Sequence, residues 1–121
     1  MLVVEYFKLK GLRGLIHLNL ENNRLYCMYN LLGIFDGLVR LERLNLASNA
    51  LSVLPTLTFQ GLTSLVRLEL QNNKLNFLPK NIFKNLNNLK NINLNYNILE
   101  IGKINQKIRK GRNINLYGND L

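Results

Sequence analysis

The stretch Leu65-Val66-Arg67-Leu68-Glu69-Leu70-Gln71-Asn72-Asn73-Lys74-Leu75 decides the fold. Its skeleton, Leu-x-x-Leu-x-Leu-x-x-Asn-x-Leu, returns at Leu15, Leu18, Leu20, Asn23 and Leu25, and at Leu41, Leu44, Leu46, Asn49 and Leu51. It returns again at Leu89, Ile92, Leu94, Asn97 and Leu99. Starts at 15, 41, 65 and 89 lie 26, 24 and 24 residues apart. A fixed period of that size marks a solenoid built from one supersecondary unit per repeat.

Within each unit the alternation Arg67-Leu68-Glu69-Leu70 is the period-two signature of a strand with one buried face. Runs such as Asn93-Leu94-Asn95-Tyr96-Asn97 argue against a helix, because Asn is a poor helix former. Strands that recur with a return path between them lie parallel. The Asn of each unit (Asn23, Asn49, Asn73, Asn97 and, at the last strand, Asn119) sits where the chain turns inward. An amide there both donates and accepts, so these five are expected to form a structural ladder to open backbone groups.

The return segments carry a second signal. Leu54-Pro55 precedes Phe59 and Leu62, and Leu78-Pro79 precedes Phe83 and Leu86 with the same spacing. Phe35 and Leu38 repeat the last pair, which predicts an aromatic spine of Phe35, Phe59 and Phe83 under the convex side. On these residues, Leu65 to Asn88 and Leu41 to Ser64 above all, the chain resembles the leucine-rich repeat family. Within it, the Pro and Phe places resemble the 24-residue subclass of Toll-type receptors, small leucine-rich proteoglycans and Slit-like proteins.

The resulting fold expectation is an α/β-type repeat solenoid. It is an arc with a short parallel β-sheet on the concave face and mostly irregular convex segments. One domain spans 1–121: a partial unit 1–14, full units 15–40, 41–64 and 65–88, a degenerate unit 89–110 and a final partial unit 111–121. Counting back, Val4 falls on the place of Leu54 and Met1 on that of Leu51, so the chain opens inside a unit. Gly111 stands where Leu is expected, and 102–110 lacks the Pro and the Phe. Solenoids need polar caps, and neither end offers one, which points to a piece of a longer solenoid.

Little chemistry is on offer. His17 is the only histidine and Cys27 the only cysteine, read as a buried free thiol, so no metal site, cofactor site or His–Cys pair is expected. The seven carboxylates are scattered over different units. No stretch is long and apolar enough to span a membrane. The expectation is a non-catalytic protein, with no cofactor.

What remains is the outward face of the strands. Its columns are His17, Arg43, Arg67, Asn91 and Asn113; Asn19, Asn45, Glu69, Asn93 and Asn115; Glu21, Ala47, Gln71, Asn95 and Tyr117. A further column just past the strands is Asn22, Ser48, Asn72, Tyr96 and Gly118. Arg43 is expected to reach diagonally to Glu69. Tyr and Arg most often carry interface energy. The expected partner-binding set is therefore His17, Arg43, Arg67, Glu69, Gln71, Asn93, Asn95, Tyr96, Asn115 and Tyr117, with Arg43, Arg67, Tyr96 and Tyr117 as anchors.

The resemblance implies a protein ligand or co-receptor, and an extracellular protein or receptor ectodomain. Read without a signal peptide, the same chain is a cytoplasmic scaffold or a structural segment with no ligand. The net charge is +9, and residues 80–112 hold Lys80, Lys84, Lys90, Lys103, Lys107, Arg109, Lys110 and Arg112 against Glu100 alone. That stripe suits an acidic polymer. No nucleic-acid-binding motif accompanies it.

Overall fold

The computed structural model describes residue 9 and residues 11–26 and 33–121. Cys27 and the opening places of Met1 and Val4 lie outside them. Five strands recur, one per turn of the chain: β1 (His17–Asn19), β2 (Arg43–Asn45), β3 (Arg67–Glu69), β4 (Asn91–Asn93) and β5 (Asn113–Asn115). They form one parallel sheet in sequence order, the sheet of a solenoid. Leu18, Leu44, Leu68, Ile92 and Ile114 stand in register at its centre.

The apolar places explain the stacking. Leu41, Leu44, Leu46 and Leu51 are buried, as are Leu65, Leu68, Leu70 and Leu75 one turn on. Each contributes about 1.5–3 kcal/mol by leaving water, and each packs between its own turn and the next. On the convex side Phe35, Phe59 and Phe83 stack at 6.3 and 6.0 Å between ring centroids.

The Asn amides bind neighbouring turns together. Asn73 Nδ2 donates to Leu70 O of its own turn and Leu46 O of the preceding one, while its Oδ1 accepts from Leu51 N. Asn97 does the same with Leu94 O, Leu70 O and Leu75 N. Asn49 uses Leu46 O, Leu20 O and Leu25 N. Asn119 at the last strand makes the complete set, to Leu116 O, Leu94 O and Leu99 N. Asn23 donates to Glu21 O alone among the described residues.

The last return segment departs from the others. A 3-10 turn η1 (Ile101–Lys103) leads to a four-residue helix α1 (Gln106–Arg109), whose first turn is capped by Asn105 Oδ1 accepting from Lys107 N. Ile108 lies six residues before Ile114, as Leu38, Leu62 and Leu86 lie six before their own strand centres, and it is buried like them. The place of the next Phe falls to Asn105. Arg112 covers Phe83 instead, with its guanidinium carbon 5.6 Å from the ring centroid.

Candidate interaction surface

The concave face is built by alternation: residues flanking each buried strand centre point outward. His17, Arg43 and Arg67 pair across successive strands, followed by Asn91 and Asn113, and Asn19, Asn45, Glu69, Asn93 and Asn115 form the next column. Two shallow recesses open on this face. One, of about 310 Å³, is lined by His17, Asn19, Arg43, Asn45, Arg67 and Glu69. The other, about 180 Å³, is lined by Arg67, Glu69, Asn91, Asn93, Asn113 and Asn115.

Local bonding gives this face a direction. The side-chain carbonyls of Asn19, Asn45 and Asn93 each accept from the backbone N–H two residues on, at Glu21, Ala47 and Asn95. Their amide groups are left as donors, and that of Asn45 bonds Glu21 Oε1. Asn95 Oδ1 accepts from Tyr117 N on the next turn of the chain. With Arg43 and Arg67, the face presents mainly hydrogen-bond donors. The Gln71 side-chain oxygen is buried with no partner among the described residues.

Two expectations are corrected. Glu69 pairs with Arg67 Nη1 at 3.7 Å, not with Arg43. The two side chains leave the same face of one strand two residues apart, a shorter reach than the diagonal to the neighbouring strand. Ala47 is buried, so the column Glu21, Ala47, Gln71, Asn95, Tyr117 is interrupted at its second place.

The corner just past the strands has a feature that the residue types alone conceal. Asn22, Ser48, Asn72 and Tyr96 all take a left-handed backbone, φ 55–60°, and Gly118 follows at 79°. Each N–H in the column from Asn22 to Tyr96 continues the ladder, to the carbonyl of Ala47, Gln71, Asn95 or Tyr117. Asn and Gly tolerate this conformation; a bulky side chain is an outlier there. Tyr96 nonetheless occupies it, is 52% exposed, and meets Tyr117, 72% exposed, edge to face at 5.5 Å.

The basic stripe is less uniform than its composition. Lys103 pairs with Glu100 at 3.2 Å, and Arg109 donates to Ile101 O. Arg112 is half-buried and tied to the backbone rather than free at the surface. Its Nε donates to Leu89 O, its Nη1 to Lys107 O and Ile108 O, and its Nη2 to Phe83 O and Leu86 O. Burial pushes its pKa down from the ordinary guanidinium value, which is so high that the group stays charged. Sequence reasoning assigned it to the stripe because its anchoring role depends on a missing Phe.

Among the described residues, no group of three His, Cys, Asp or Glu side chains is placed to hold a metal ion. No helix there is long and apolar enough to cross a membrane. No curated protein matches the chain. Residues 32–75 match the family model described as leucine rich repeat. The same Leu and Asn places are carried from turn to turn as far as Asn119, so the leucine-rich repeat matched at residues 32–75 continues beyond the matched segment.

Proposed function

We propose that the concave face binds a protein, with Arg43, Arg67, Tyr96 and Tyr117 as anchors and His17, Glu69, Gln71, Asn93, Asn95 and Asn115 around them. The observation that carries this reading is the Tyr96–Tyr117 pair, exposed and edge to face on a left-handed corner that the backbone ladder holds in place. Rigid aromatic side chains lose little entropy when a partner covers them.

Two further features support it. Parallel sheets are generally covered on both faces, whereas the outward positions of this one are exposed or half-buried. The donors aligned by the Asn19, Asn45 and Asn93 turns suit a partner rich in carboxylates and exposed carbonyls. The Leu-Pro and Phe spacing supports the 24-residue subclass, and with it a place in a receptor-like or secreted protein acting outside the cell.

The experiment is site-specific photocrosslinking in the native source, with the reactive group at Gln71 or Asn115 on the concave face, or at Leu57 on the convex side. Protein adducts from the first two positions alone support the assignment. Adducts confined to Leu57 overturn it.

A further inference from the structure

We propose that the cleft between residues 80–85 and helix α1 binds a linear sulfated polysaccharide. The cleft has a volume of about 370 Å³ and is lined by Lys80, Asn81, Phe83, Lys84, Asn85, Lys107, Ile108 and Arg112. No carboxylate is among these residues, so the positive potentials add rather than cancel.

Its base is unusual. All five N–H groups of the Arg112 guanidinium are taken up by backbone carbonyls, which are dipoles and carry no net charge. The ion pairs seen among the described residues, Arg67–Glu69 and Lys103–Glu100, leave Arg112, Lys80, Lys84 and Lys107 without an acidic partner. A half-buried cation therefore underlies three exposed lysines that come from two separate turns of the solenoid. An anion seated between them gains from all four charges, and because three of them are exposed the attraction weakens as salt rises.

The occupant follows from charge and shape. Four cations exceed what one sulfate or phosphate neutralises, so the ligand carries several anionic groups along its length. Phe83 is only 3% exposed, with Phe59 stacked on one side and Arg112 lying over the ring. It therefore offers no platform for a nucleic-acid base. Ile108 is buried as well, so neither apolar side chain of the cleft projects far enough to enter a lipid layer. A hydrophilic chain bearing repeated sulfates fits what remains, held by lysine ammonium groups and by the amides of Asn81 and Asn85.

The test uses the full chain and a heparin hexasaccharide, titrated calorimetrically at physiological salt. The triple variant K80Q/K84Q/K107Q is expected to weaken binding about tenfold or more and to lower the salt slope by roughly three ions. The control R13Q/R40Q/K74Q removes the same charge outside the cleft lining and should change affinity by less than about twofold. A desulfated hexasaccharide should not bind. Circular dichroism checks that both triples fold. Equal losses in the two triples would reduce the effect to net charge and overturn the proposal. So would binding of the desulfated sugar, tighter binding of a duplex DNA of matched charge, or no binding of the hexasaccharide. None of these substitutions touches the concave face, so the outcome is independent of the protein-binding assignment.

Discussion

The ring of Tyr96 fills the space above Gly118: a Cβ built on that glycine would lie 2.6 Å from Tyr96 Cδ1 and 2.9 Å from Cε1. Gly118 also has φ 79°, so two independent constraints exclude a side chain there. Gly118→Ala should cost about 1–3 kcal/mol, by forcing the ring to move and straining the backbone. Urea unfolding measures the loss, and the ring-current shifts of Tyr117 report whether the edge-to-face pair has opened.

Tyr96 itself is a case where stability and binding should separate. Tyr96→Asn installs the residue that occupies the same corner at Asn22 and Asn72. Relief of left-handed strain, about 1–2 kcal/mol, opposes loss of an aromatic pair worth about 0.5–1.5 kcal/mol. The urea midpoint should therefore stay nearly constant or rise, while crosslinking from the concave face falls. A large loss of stability would make Tyr96 a structural residue.

The ladder gives a prediction with a pH sign. Asn73 is buried and donates to Leu46 O and Leu70 O while accepting from Leu51 N. Asn73→Ala should cost about 2–4 kcal/mol, because those groups lose their partner away from water. Asn73→Asp should be at least as damaging at neutral pH, since an ionised carboxyl would face two carbonyls. Burial and those carbonyls would raise its folded pKa above the unfolded value of about 3.9. The variant should then be more stable, relative to wild type, below that value, and lose the gain as pH rises through the folded pKa. Equal pH dependence in both proteins would contradict this.

At the far end of the spine, Arg112→Met keeps bulk over Phe83 but leaves the carbonyls of Phe83, Leu86, Leu89, Lys107 and Ile108 without this donor. A loss of about 2–4 kcal/mol is expected. Hydrogen exchange should accelerate first in 106–121. An unchanged exchange pattern would mean that the guanidinium does not hold the last turn.

The strand centres, the Asn ladder and the stacked Phe residues were legible because each repeats at one period, and a buried column has few acceptable residue types. Arg112 was not, since its place over Phe83 exists only where the return segment lacks the next Phe. Helix α1 was missed for a related reason: its buried residue, Ile108, keeps the column of Leu38, Leu62 and Leu86, but the segment around it has lost the Pro and Phe by which the column was recognised. The left-handed corner could have been read from Asn22, Asn72 and Gly118, which share a tolerance for positive φ. Tyr96 hid it. The Arg67–Glu69 pair was decided by reach along one strand, a distance that column alignment does not weigh.

The most direct test of the protein-binding face is the yield of protein adducts from a photoreactive group at Asn115, compared between the wild-type background and the Arg43→Ala, Arg67→Ala, Tyr96→Ala, Tyr117→Ala background. The concave-face account predicts a defined adduct in the first and its loss in the second, with folding intact in both. A yield that does not change when all four anchors are removed would contradict it.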